Sequence, residues 1–305
     1  MSVHVFIDGG HGTTGLEIAE RLAGRDDITL IALDDARRKD AGARAEALNS
    51  SDIAILCLPD DAAREAVAMI ANDRTRVIDA SSAHRVADGW TYGFPELGFD
   101  VASARFVSNP GCYPTGFLAL VAPLVRAGIV PRDWPLTVNA VSGYSGGGKA
   151  LIERFESDAT LAFRDYGLGL EHKHVPEMQR HAGLEHAPIF APTVARAFRG
   201  MIVEVPLPLA ALPDAPSSAA VLDALAVAFD GTAAVKVHAD RPDELLLAVN
   251  EHPNDRLDLY VFAGPDDRQV RLVATLDNLG KGATGAAVQN LNIMAGFDPT
   301  AGLTL

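Results

Sequence analysis

The sequence predicts an α/β protein, with an amino-terminal Rossmann-type doubly wound parallel sheet followed by an α+β domain built on a mostly antiparallel sheet. Three observations predict it. Short aliphatic runs alternate with amphipathic stretches through the first third of the chain, as in strand–helix units whose helices cover both faces of a parallel sheet. A glycine-rich turn, GGHGTTG, follows the first of those runs directly. Beyond Leu136 the runs alternate apolar with polar residues, which suits antiparallel strands with one wetter face.

Taken in order, Val3–Asp8, Thr29–Leu33, Ile53–Leu58, Val77–Asp79 and Phe106–Ser108 read as buried strands. Thr14–Gly24 and Asp61–Asn72 read as helices, the first stopped by glycine and the second opened by acids that complement the helix dipole. A helix over Gly116–Ala127 follows Thr115. Leu136–Val141, Met201–Pro206, Ala234–Val237, Asp258–Ala263 and Gln269–Leu276 then alternate as strands, and Pro206–Ser218 is proline-rich enough to be a loop. The tail Gly282–Ala295 reads as a small-residue helix that packs back on the first domain. This places a dinucleotide-binding domain over residues 1–114 and 280–305, and a catalytic, substrate-binding and oligomerisation domain over 115–279.

Bulk composition narrows the function. A net charge of −14 disfavours nucleic acid and anionic membranes as partners, so an anionic ligand must be held by local donors. Two cysteines in 305 residues exclude a disulfide scaffold and point to a reducing compartment. The N-terminus has no basic region followed by an apolar stretch, and no apolar run nears the roughly 20 residues that cross a bilayer. The expectation is a cytoplasmic protein.

Gly9, Gly12 and Gly15 follow a Gly-x-x-Gly-x-x-Gly spacing that permits a tight turn and lets a pyrophosphate approach free amides at a helix start, with Thr13 and Thr14 as added hydroxyl donors. Asp34-Asp35 after the second strand favours a free ribose 2′-hydroxyl, whereas Arg37, Arg38 and Lys39 favour a 2′-phosphate; the residues leave NAD and NADP both open. DASSAHR ends the fourth strand with Ser81 and Ser82 as candidate cofactor contacts and Arg85 as a candidate carboxylate clamp. VSGYSGGGK offers Ser142, Ser145, the Gly146–Gly148 amides and Lys149 to an oxyanion or phosphate. Ala150 after Lys149 excludes a P-loop. Arg199 is a second candidate for an anionic substrate group.

SNPGCYPTG puts Cys112 after a strand and the Asn109-Pro110-Gly111 turn, with Pro114 in the first turn of a helix. A helix N-terminus favours the thiolate and so a nucleophile, and Asn109 beside it is a candidate substrate contact. Cys57, in IAILCLP, reads as an inert thiol in mid-strand. GLEHKHVPEM supplies His172 and His174 as proton partners and Glu177 as the acid that holds one of them. Zinc is set aside although His181 and His186 follow, because the spacing is not His-Glu-x-x-His and no cysteine ligand is near.

DGGHGTTG, LPDDAAREA, DASSAHR, SNPGCYPTG, SGYSGGGK, EHKHVPEM and LDNLGKGATGAAVQNLNIMAGFD span nearly the whole chain in order. Through them the sequence resembles the N-acetyl-γ-glutamyl-phosphate reductases of arginine biosynthesis, in their short bacterial form, within the semialdehyde dehydrogenase superfamily. The aspartate-semialdehyde dehydrogenases are similar in architecture, but HKHVPE and NLGKGATGAAVQN look like the acetylglutamyl branch. The resemblance implies reduction of an acyl phosphate by NADPH, with release of inorganic phosphate and a cysteine thioester on the way. It implies Cys112 as nucleophile, and a histidine of the HxHxPE motif as acid/base: His174, put first, or His172. It implies that Asn278 and Gly280 approach the nicotinamide, and that the protein forms homodimers or homotetramers. The rival readings are a reductase of another acyl phosphate, such as aspartyl phosphate, and a non-catalytic NADP-binding sensor.

Overall fold

A computed structural model describes residues 2–249 and 252–305. The chain forms two compact units, one of residues up to Pro110 with Ala283–Leu303, the other of Gly111–Gly282 with Thr304–Leu305. The first unit runs β1 (Val3–Asp8), α1 (Thr13–Leu22), β2 (Ile28–Ile31), α2 (Ala41–Ser50), β3 (Ile53–Leu56), α3 (Asp60–Ala68), β4 (Arg76–Asp79), β5 (Thr91–Tyr92) and β6 (Phe106–Ser108). The second runs α4 (Cys112–Arg126), β7 (Thr137–Ser142), α5 (Gly148–Ser157), β8 (Phe163–Asp165), α6 (Val175–Ala182), β9 (Ile189–Ala195) and β10 (Met201–Leu207). It continues through α7 (Ser218–Ala228), β11 (Val235–Val237), β12 (Leu257–Ala263) and β13 (Val270–Leu276). The last helix, α8 (Gly285–Ala295), returns to the first unit.

The first unit is a six-stranded parallel sheet in the order β2-β1-β3-β4-β6-β5. Its central strand β3 is buried at every residue, so both faces need cover. On one face Ile18 and Leu22 of α1 and Val288, Leu291 and Met294 of α8 close over Val5, Ile55 and Ile78. On the other, Leu48 of α2 and Ala63 and Ala66 of α3 close over Phe6, Leu56 and Val77. The tail helix thus returns as its small apolar residues predict. Helix α2 is not legible in the pattern, because AGARAEALNS has almost no large apolar residue. Its signal is the cap, where the Asp40 carboxylate accepts the Ala43 amide at 2.7 Å.

The second unit is a seven-stranded sheet in the order β11-β12-β13-β10-β7-β9-β8. It is mixed rather than purely antiparallel, since β9 runs parallel to β7 and β11 parallel to β12. Strand β9 contains Pro192 and β8 has three residues, so neither presents a readable alternating run. Helix α4, apolar nearly all round and almost wholly buried, packs on β10 and β13 and against α6 and α7. It comes close at Gly116, where an added Cβ would lie 2.8 Å from Val203 Cγ2. The opposite face of the sheet leaves Thr137, Asn139, Val141 and Ile189 open to solvent. Helix α4 begins at Cys112, four residues before the start expected from the sequence. Pro114 in a first turn forfeits no intrahelical bond, and the Gly111 carbonyl already accepts the Thr115 amide at 3.0 Å. No helix among the described residues is long and apolar enough to cross a membrane.

Candidate active site

Cys112, half-buried, is the first residue of α4. Gly111 caps the helix in an extended conformation with no side chain, so no cap oxygen competes for the first-turn amides. The Gly111 amide instead donates to Glu177 Oε2 at 3.1 Å. Glu177 is buried in the first turn of α6, and its Oε1 lies 4.0 Å from His174 Nε2. One carboxylate therefore touches the residue ahead of the thiol and stands beside an imidazole. Both histidines lie in this cluster. The backbone amide of His174 donates to His172 Nδ1 at 3.2 Å, and the ring centroids are 4.7 Å apart. An Nδ1 that accepts leaves the neutral His172 ring protonated at Nε2. Burial, with Lys173 adding to it, pushes His172 down to about 4, so it is neutral at pH 7.

Two tyrosines complete the cluster and were not singled out from the sequence. Tyr113, next to the thiol, packs on Phe190 and meets both histidine rings edgewise or tilted. Its hydroxyl accepts from Tyr166 Oη at 3.3 Å. Burial, then the neighbouring Tyr166 and Cys112, push the Tyr113 phenol far above its usual range, so it stays a neutral hydroxyl. Position beside Cys112 was the available signal for Tyr113; Tyr166, 53 positions away, had none.

The chain from Asp277 to Gly282 forms a second wall. Asn278 Nδ2 donates to Ser145 Oγ at 2.8 Å, while the buried Asn278 Oδ1 has no hydrogen-bond partner among the described residues, an acceptor open to a ligand N–H. Gly146 is exposed, and a Cβ there would come 3.3 Å from Asn278 Nδ2. Ser142 Oγ donates to the Gly143 carbonyl and Lys149 lies exposed on the first turn of α5. Two further expected contacts meet neighbours within this unit. Arg199 donates to the buried Asp277 carboxylate at 2.8 Å, and that carboxylate also takes the amides of Leu279 and Asn254. Gly280 is required by packing, since a Cβ would collide with the Asn254 carbonyl.

In the first unit, a cleft of about 460 Å³ opens at the glycine turn. Gly9 sits at φ +85°, and a Cβ there would strike the Cys57 carbonyl. A Cβ on Gly15 would lie 2.6 Å from the Gly9 carbonyl oxygen. Gly12 caps α1 without a side-chain bond, and Thr13 and Thr14 open the helix. Such a cradle of bare backbone at a helix start fits a pyrophosphate. Arg38 and Lys39 line the cleft, as does Arg44, which grips the buried Asp8 through Nη2 at 2.9 Å. Arg44 was missed because α2 was. Arg38 also pairs with Asp35 at 3.3 Å, and Arg37 pairs with Glu46 at 3.2 Å, its amide taken by Asp34 Oδ1.

The other expected residues of the first unit hold partners within the fold. Ser81 gives its amide and hydroxyl to Asp79, and Ser82 gives both to Asp60. Arg85 is buried and donates to the carbonyls of Asn109 and Ala80. Asn109 is buried between Ala283, whose carbonyl takes its Nδ2, and Asn290, which donates to its Oδ1. Cys57 lies just past the end of β3, half-buried, not in mid-strand. Burial, then Asp79 and Asp8, push its thiol up to about 12. No group of three His, Cys, Asp or Glu that could hold a metal ion occurs among the described residues.

Comparison with known proteins agrees with both units. Residues 4–104 match the semialdehyde dehydrogenase NAD binding domain and residues 112–278 the semialdehyde dehydrogenase dimerisation domain. The N-acetyl-gamma-glutamyl-phosphate reductase of Trichormus variabilis is 49% identical, over 98% of this chain and 98% of its own. That of Rhizobium etli is 51% identical, over 96% and 99%. Among solved structures, aspartate semialdehyde dehydrogenase II of Vibrio cholerae, complexed with ASA, superposes with a TM-score of 0.72 at 18% identity, covering 96% of this chain and 98% of that one. At that identity the likeness speaks for the fold.

Proposed function

The chain belongs to the N-acetyl-γ-glutamyl-phosphate reductases, and we propose that the cluster around Cys112 carries their reaction. It reduces N-acetyl-γ-glutamyl phosphate to N-acetylglutamate 5-semialdehyde and phosphate, in arginine biosynthesis. The Cys112 thiolate, at a helix N-terminus, attacks the acyl carbon; the carbon–oxygen bond to phosphate breaks, and a thioester and inorganic phosphate result. When bound, the nicotinamide cofactor supplies the hydride. Cys112 carries the acyl group through that change and leaves as thiolate when its carbon–sulfur bond breaks. His174 holds the proton for the oxygen that gains charge as the carbon turns tetrahedral, and Glu177, 4.0 Å from its Nε2, orients the ring. His172, neutral and accepting the His174 amide, positions that residue and is not the acid.

Bare glycine backbone at Gly9, Gly12 and Gly15 suits the pyrophosphate, and the open acceptor of Asn278 suits the carboxamide of the nicotinamide. Arg38 and Lys39, on the cleft wall, favour NADP over NAD, with Arg37 turned to Glu46. Lys149 and Ser142 remain the candidate substrate contacts. A homodimer through the open face of the seven-stranded sheet is supported by the dimerisation-domain match and by Val141 and Ile189 exposed there. The reading places the enzyme in the cytoplasm.

One observation carries the mechanism: a single buried carboxylate bonds Gly111 and lies next to His174, bringing nucleophile and proton carrier into one frame. The test is phosphate-dependent oxidation of N-acetylglutamate 5-semialdehyde, with NADP⁺ and NAD⁺ in parallel and aspartate semialdehyde as competitor substrate. Turnover should need phosphate, prefer NADP⁺ and vanish in Cys112→Ala with nucleotide binding retained. Turnover in that variant would refute the covalent route, and preference for aspartate semialdehyde would favour the rival reductase.

A further inference from the structure

We propose that Gly282 is a positioning residue for the nucleophile: the bare backbone there is the wall against which Cys112 rests, and it sets where the thiol sits. The inference depends on Cys112 being the nucleophile. A Cβ built on Gly282 would lie 2.9 Å from Cys112 Cβ, 3.1 Å from the Asp277 carbonyl oxygen and 3.3 Å from Cys112 Cα. Carbon atoms settle at about 3.5–4.0 Å, so a methyl group demands that something move by roughly 0.6–1 Å. The reason for glycine here is room alone, since the position lies outside the left-handed region that favours glycine.

The wall cannot retreat. Gly282 lies in a π turn, Gly280–Thr284, and its amide donates to the Asp277 carbonyl at 3.0 Å. The Asp277 carboxylate is anchored by Arg199 and by the amides of Leu279 and Asn254. Gly280, two residues before Gly282, packs so closely on the Asn254 carbonyl that a Cβ there would strike its oxygen. On the other side α4 has little room to slide as a body, since there is no space even for a methyl group between Gly116 and Val203, and the Gly111 amide is held by Glu177. The part left to yield is Cys112 itself. A misplacement near 1 Å at a reacting atom can cost about 10²-fold in rate.

Gly282→Ala is therefore expected to lower kcat about 100-fold and to slow alkylation of Cys112, with substrate KM and NADP affinity within about threefold of wild type. Cys112→Gly, which removes the atom that is struck, gives the second arm. Thermal unfolding should show Gly282→Ala costing the wild type more stability than the Cys112→Gly background, where the approaches to the Asp277 carbonyl and to the α-carbon at position 112 remain but the tightest contact is gone. Should the single variant fail to fold, the double variant is expected to fold. A kcat within threefold of wild type would overturn the proposal, as would equal loss of stability in both backgrounds. Failure of the underlying reading is told apart by Cys112→Ala, which would then retain turnover whatever Gly282→Ala does.

Discussion

Replacing His172 by asparagine should remove one acid-sensitive contribution to stability while keeping the hydrogen bond that the ring makes. In the folded protein burial pushes His172 from about 6.5 down to about 4. The folded state therefore resists the proton that the unfolded chain accepts. Between those two pH values the unfolded state binds more protons, so stability rises with pH. The contribution is complete above about 6.5 and is lost as pH falls toward 4. The full shift of about 2.5 units corresponds to roughly 3.4 kcal/mol. His172 keeps some contact with solvent, which screens part of this and leaves about 1–2 kcal/mol. Asparagine does not titrate, and its Oδ1 can accept the His174 amide as Nδ1 does now. Urea unfolding of both proteins from pH 7 to pH 4 measures the difference. Groups common to both cancel, and the wild type should lose about 1–2 kcal/mol more than His172→Asn over that range. Parallel profiles would show that His172 titrates normally, and with that the argument that it is not the proton donor would fall.

Two further outcomes follow from the buried groups. At pH 7.5 a thiol with a pKa of about 12 is thiolate in roughly one molecule in 30,000, so iodoacetamide should label Cys112 and spare Cys57, as read by peptide mapping. Comparable labelling of both would mean that Cys57 is not held down by burial and its acidic neighbours. Arg199→Ala leaves the Asp277 carboxylate buried without its ion-pair partner and should cost about 3–5 kcal/mol of stability, measured by denaturant unfolding. Unchanged stability with a raised substrate KM would return Arg199 to the role of substrate clamp.

What the sequence by itself determined is local. Apolar periodicity and turn chemistry act within a few residues, so five of the six strands of the parallel sheet, all but the two-residue β5, the glycine turn and the tail helix could be read in order, and the thiol could be placed at a helix start. The same holds for the His172–Glu177 segment, whose members are near neighbours in the chain. Residue type also implied chemistry for Arg199 and Asn109, but not the partners that tertiary structure gives them. Each spends its polar atoms on a buried partner, Arg199 on Asp277 and Asn109 on Asn290, with 78 and 181 positions between them. A buried donor must find an acceptor, and which acceptor lies in reach is set by how distant segments pack. Tyr166 beside Tyr113, Arg44 on Asp8 and Gly282 against Cys112 have the same origin: contacts between residues far apart in sequence, which no local pattern encodes.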